Sequence, residues 1–116
     1  MSRTQLMKGL MLAVALSCPA SLTYAQDEAQ IKKGQEVYAA QKCSVCHAIA
    51  GKGAKANPLD GVGKKLSADD IRNWITHPTE AAAKAKSTKK PPMPAKYGSL
   101  PAADLDALVA YMQSLK

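Results

Sequence analysis

Apolar residues fall at helical intervals near both ends of this chain and in one shorter stretch between them, and the rest is polar or rich in glycine and proline. Ile31, Gly34, Val37 and Tyr38 recur at the spacing of one helix face, with Asp27 placed to cap the start, which predicts a helix running up to Cys43. Leu105, Leu108, Val109, Tyr111, Met112 and Leu115 predict a last helix from about Ala102, introduced by Pro101, a residue suited to a helix start. A glycine inside a helix costs about 1 kcal/mol relative to alanine, so Gly34 calls for a reason. Close approach by the last helix supplies one, with Tyr38 and Tyr111 packing near the crossing. In the middle, Ser67-Ala68-Asp69-Asp70 offers an N-cap and two carboxylates at the positive end of a helix over 67–75. Leu66, Ile71, Trp74 and Ile75 form its apolar side, and His77-Pro78 closes it because proline disfavours helical geometry in the residue before it. Residues 51–65 have no periodicity beyond one turn at Asn57-Pro58-Leu59. Residues 79–90 are mostly Ala and Lys, which predicts a short exposed helix running into a mobile loop. Helices joined by irregular segments make this an all-α chain.

The first 25 residues change the count. A basic opening (Arg3, Lys8), an apolar run from Leu10 to Leu16 and a small-residue exit at Thr23-Tyr24-Ala25 read as a secretory signal peptide over residues 1–25, with Ala20 as an alternative exit. The run is too short to span a bilayer, and Ala15-Leu16-Ser17-Cys18 is a poor lipid-attachment site. A soluble chain in the periplasm, residues 26–116, is the expectation. Its release removes Cys18 and leaves Cys43 and Cys46 alone, so no disulfide framework is in play. About 90 residues with no Phe and one Trp make a thin core, and domains of that size need a staple. The leader carries two basic residues and no acid, which takes the formal charge from +7 to +5. Most of the excess is lysine, at positions 42, 52, 55, 64, 65, 84, 86, 89, 90 and 96. No arginine cluster or aromatic platform accompanies it, so nucleic acid is a poor partner and acidic proteins a better one.

The staple is written at Cys43-Ser44-Val45-Cys46-His47. C-x-x-C-H is the attachment signature of c-type haem: two thiols on one helical turn add to the two vinyl groups of one porphyrin, and the adjacent histidine lies under the iron. A redox C-x-x-C belongs in a βαβ setting and a zinc site needs a second ligand pair, neither of which is visible. His47 then needs a backbone carbonyl to accept its Nδ1 proton, and Pro58 is the expected donor of that carbonyl. Gly63-Lys64-Lys65 does not meet the pattern of a phosphate-cradling loop. Pro91-Pro92-Met93-Pro94 holds one methionine on a stiff, extended backbone in a polar loop with little core to fill. Met93 is the expected sixth ligand, with His77 as the rival, and the two differ in consequence because a thioether raises the potential. Trp74 is expected to offer its indole N–H to a haem propionate.

The chain resembles the class I monohaem cytochromes c of the bacterial periplasm. The likeness runs through Gly34 and Tyr38, the haem motif, Pro58-Leu59-Asp60-Gly61-Val62-Gly63, Trp74, Pro92-Met93-Pro94, and Leu108 with Tyr111. It departs at Asn57, where many relatives have glycine, and in the offset of nine positions from Gly34 to Cys43, one more than expected, which suggests a wider turn after the first helix. The resemblance implies crossed first and last helices, one covalently bound haem c, His and Met ligation, and an exposed haem edge. The expected function is one-electron, outer-sphere transfer with no bond chemistry; the lysine surplus points to acidic redox proteins as partners, and the carrier is expected to be a monomer. A subunit of a larger oxidoreductase is the second reading, and a haem ligand sensor or peroxidase the third.

Overall fold

A computed structural model describes residues 20–116, with side chains from Asp27 onward. The expected signal peptide, residues 1–25, lies outside the described residues apart from the backbone of its last few.

Among the described residues five α-helices carry the fold. Helix α1 (Ala20–Ala40) is followed by a 3-10 turn at Cys43–Val45 and a small hairpin of β1 (Ala48–Ile49) and β2 (Lys52–Gly53). Then come α2 (Val62–Lys65), α3 (Ala68–Thr76), α4 (Pro78–Lys84), a second 3-10 turn at Ala95–Ser99, and α5 (Ala102–Ser114). The all-α reading holds, with the hairpin as a local embellishment.

Helix α1 is already formed at Ala20, so Asp27 sits inside it and caps nothing. Nothing in the sequence stops the helix earlier, because neither proline nor glycine occurs between Pro19 and Gly34. Gly34 has the predicted reason: a Cβ there would lie 2.6 Å from the Tyr111 Cβ and would strike the carbonyl oxygen of Ala107. The two helices therefore cross almost backbone to backbone. The Tyr38 and Tyr111 rings meet edge to face at the crossing, centroids 5.8 Å apart and planes at 84°. Lys33 and Asp104 pair across the rim at 3.2 Å, an exposed contact of small energetic weight.

The core is one cluster: Val37 from α1, Ile71 and Ile75 from α3, and Leu105, Leu108, Val109 and Met112 from α5. The α3 N-cap is as expected, with the Ser67 hydroxyl accepting from the Asp70 amide at 3.1 Å. Helix α3 ends at Thr76, and Pro78 opens α4 directly behind it. Arg72 of α3 donates to Asp106 of α5 at 2.6 Å, tying the middle helix to the last. Gly63 lets α2 lie against the end of α5, where its amide donates to the Leu115 carbonyl at 2.8 Å.

Candidate functional site

Helix α1 closes with Lys42 in the left-handed region (φ 56°), a wider exit than a plain helix end, and the cysteine motif begins at once. The motif opens as a 3-10 turn and closes with an α-type bond: the amides of Cys46 and His47 both donate to the Cys43 carbonyl, at 3.1 and 3.0 Å. Cys43 is half-buried, Cys46 is exposed, and Val45 between them is 71% exposed. Burial pushes the Cys43 thiol above its ordinary range, and the neighbouring Cys46 adds to the rise, although a backbone hydrogen bond opposes it. A dithiol redox centre needs the opposite shift. Among the described residues no three His, Cys, Asp or Glu side chains stand together as a metal cage, so the zinc reading has no second ligand pair either.

The hairpin and the segment after it hold His47. Its two-residue turn, Ala50-Gly51, has positive φ at both positions (51° and 79°), the twist that matches a tight hairpin. Alanine is an unfavourable occupant there, and the Asp60 carboxylate compensates by accepting from the Ala50 amide at 2.8 Å. Gly53 then passes so close to the cysteine turn that a Cβ would lie 2.9 Å from the Ser44 carbonyl and would strike that of His47.

The His47 ring meets the Asn57 carbonyl, Nδ1 to O 3.1 Å, and this corrects the expectation that Pro58 would provide the acceptor. A carbonyl oxygen only accepts, so Nδ1 carries the proton and Nε2 keeps its lone pair free for a metal. Pro58 has a different part. It bridges to Ala48, whose carbonyl accepts from the Leu59 amide at 2.8 Å, and so holds the Asn57 peptide in place. Asn57 is not among the residues with positive φ, so asparagine at this position carries no backbone strain.

Met93 stands in an irregular segment between α4 and the second 3-10 turn. It is half-buried and packs on the same apolar cluster as Tyr38, Ile49 and Leu59. The expectation of little core around it is thereby corrected: the prolines beside it are exposed, while the methionine turns inward. Lys89 ties this segment to the histidine side by donating from Nζ to the Ala56 carbonyl at 2.8 Å. Composition gave no sign of that tie, because one lysine among many looks the same.

Trp74 is half-buried on α3 and lines a groove of about 540 Å³ between α3 and α4, beside Leu66, His77 and Lys84. His77 is exposed, caps the end of α3, and shares a 2.8 Å hydrogen bond with the Thr76 hydroxyl through Nδ1.

The family model described as Cytochrome c matches residues 31–116. The chain belongs to the cytochrome c family. Neither a curated protein nor a solved structure matches it. As a class I cytochrome c, it binds haem c covalently through Cys43 and Cys46 and takes part in haem-based electron transfer. Cytochrome c domains are typically carriers rather than enzymes and are usually extracellular or periplasmic. No helix among the described residues is long and apolar enough to cross a membrane.

The residues fit the group. Among the described residues nine hydrophobic side chains and Pro78 are buried, yet none of large size is completely enclosed, as expected of a protein core completed by a cofactor. The cysteine turn, the Nε2 lone pair of His47 and a buried Tyr38 hydroxyl that no protein group meets add to the same conclusion.

Proposed function

We propose that this cytochrome c is a periplasmic one-electron carrier whose haem iron is held by His47 on one side and Met93 on the other. The observation that carries the reading is the hydrogen bond from His47 Nδ1 to the Asn57 carbonyl, which fixes the ring and leaves Nε2 as the ligating atom. Support for Met93 comes from its inward position between exposed prolines and from the Lys89–Ala56 tie that draws its loop toward the histidine side. Bound haem supplies the ferrous/ferric couple. The chain supplies potential, burial and docking. With both axial positions taken by side chains, no coordination site stays open for a substrate, and electron exchange is outer-sphere.

The test is a redox titration of the purified protein followed by visible absorption. The ferric form is expected to show the far-red band of thioether-to-iron bonding. Met93→Ala is expected to abolish that band and to lower the potential by at least about 0.1 V, within the roughly 0.8 V that axial ligation spans. A wild-type spectrum that is high-spin, or a Met93→Ala protein with the far-red band intact, overturns the ligation.

The lysines define the partner. Lys42, Lys52, Lys55, Lys86, Lys89 and Lys90 are exposed on the segments that flank the cysteine turn and the methionine loop. Such a face steers an acidic redox protein toward the haem side. Exposed charges are screened over about 10 Å at 0.1 M salt. The second-order rate with an acidic partner is therefore expected to fall steadily as salt rises, and stopped-flow mixing at increasing ionic strength checks this. A rate that does not change with salt removes the lysines from docking.

A further inference from the structure

The loop that carries Met93 has few hydrogen bonds of its own. Pro91, Pro92 and Pro94 around the methionine have no amide hydrogen to give, so the backbone there builds no ladder to a neighbouring segment. The amides of Lys86 and Ser87 turn back to the Ala83 and Ala82 carbonyls of α4, and the Lys89 amide donates to the Ser87 hydroxyl at 3.4 Å. All of these bonds are local. Among the described residues, one hydrogen bond joins residues 86–93 to a distant part of the chain: Lys89 Nζ donates to the Ala56 carbonyl at 2.8 Å, 33 positions away. The ion pairs of the described residues, Lys33–Asp104 and Arg72–Asp106, lie elsewhere.

The landing point gives this bond its meaning. Ala56 directly precedes Asn57, whose amide reaches back to the Ala54 carbonyl at 3.5 Å and whose carbonyl accepts from His47 Nδ1 at 3.1 Å. Lys89 thus connects the loop of one axial side chain to the turn that fixes the other. Lys86 and Lys90 are exposed in the same loop and make no such bond, so position rather than charge sets Lys89 apart. An ammonium donating to a carbonyl is charge-assisted, but Lys89 is exposed and water competes for both partners. Such a bond opens without unfolding anything else.

We infer that Lys89 is a latch between the two axial loops, a positioning residue whose release lets Met93 leave the iron and admits a small nitrogen-donor ligand to the sixth position. This rests on the proposed Met93 ligation and goes beyond it by naming what keeps that ligand in place. Opening exchanges one bond for another: the Met93 thioether leaves with its lone pair, the lone pair of the incoming base takes its position, and the ferric state is unchanged. With the latch closed the chain is a carrier, and with it open the chain accepts ligands.

The experiment uses the full-chain ferric holoprotein, its Lys89→Ala and Lys84→Ala variants, and neutral imidazole as the probe. Each variant loses one charge, and Lys84 is exposed on the last turn of α4 without a tie to the histidine side. The far-red thioether band is recorded in the parent first, and its absence there overturns the ligation and the latch together. With the band present, stopped-flow mixing at rising imidazole is followed until the rate stops increasing, where it reports the departure of Met93. That limiting rate is expected to rise roughly three- to tenfold in Lys89→Ala, the worth of one ordinary hydrogen bond, and to stay within about twofold of the parent in Lys84→Ala. Amide hydrogen exchange is expected to quicken in residues 54–57 and 86–93 of Lys89→Ala and to keep the parent's level in α1 and α5. Equal limiting rates in Lys89→Ala and the parent overturn the latch and leave Met93 as the ligand. An equal rise in both variants traces to charge and overturns it too, as does faster exchange spread through α1 and α5, which makes Lys89 a merely structural residue.

Discussion

Replacing both Cys43 and Cys46 by alanine is expected to yield a chain without covalent pigment and without a cooperative unfolding transition. The protein's own core is small. Seven side chains form the cluster on which α1, α3 and α5 meet, and Phe is absent from the whole sequence. A domain of about 90 residues has a net stability on the order of 5–10 kcal/mol, the remainder of much larger opposing quantities. With Met93 as the proposed sixth ligand, a cofactor anchored at Cys43 closes a loop of about 50 residues. By analogy with a disulfide that closure contributes roughly 4 kcal/mol, before any apolar contact with the porphyrin is counted. Loss of both contributions exhausts the margin. Far-ultraviolet circular dichroism against denaturant, together with the mass of the chain, reads the outcome. A sharp transition with full helix content in the pigment-free variant would show that the polypeptide core suffices. The single variant Cys46→Ala is milder, because the half-buried Cys43 still anchors one edge.

What the sequence disclosed and what it concealed follow from the range of the forces involved. Local rules sufficed where the determining atoms are neighbours in the chain: Ser67 accepts from Asp70 three residues on, Pro78 stops α3, and Pro101 precedes α5. Gly34 was legible because its cost inside a helix has few explanations, and the crossing against Ala107 is the one observed. The reach of α1 back to Ala20 was not, since Asp27 is an equally good capping residue on paper and no breaker separates it from the residues before it. The hairpin stayed hidden because its turn uses Ala50 where asparagine would have signalled it, and Asp60, ten residues away, makes the alanine tolerable. Helix α2 is a single turn, too short to show a period.

The site divides in the same way. Cys43, Cys46 and His47 are named by their spacing alone. The carbonyl facing His47 is not, because Asn57 and Pro58 offer adjacent candidates in sequence, and the long-range Ala48–Pro58 bridge sets which one faces the ring. Lys89 is likewise defined by what it reaches, the Ala56 carbonyl 33 positions away.

Gly34→Ala is the second change expected to act strongly, and it adds only a methyl group. Judged on helix propensity the variant should gain about 1 kcal/mol. The crossing reverses the sign. The added carbon would sit 2.6 Å from the Tyr111 Cβ and against the Ala107 carbonyl, so α1 and α5 must separate. Overpacking a tight contact costs typically 1–3 kcal/mol, occasionally more, and here one obstructing atom is backbone, which no rotamer change can remove. A net loss of about 2 kcal/mol is expected, seen as a lower denaturant midpoint in a protein that still carries haem. Gly51→Ala separates this cause from a general intolerance of alanine, since that site has open space and only its positive φ of 79° to oppose a side chain. Its expected cost is about 1 kcal/mol. Ala107→Gly should not rescue Gly34→Ala, because the atom struck at that position is the carbonyl oxygen, present in every residue. A Gly34→Ala midpoint at or above that of the parent would mean that the helices do not cross as closely as described, and the Tyr38–Tyr111 contact would lose its geometric basis with it.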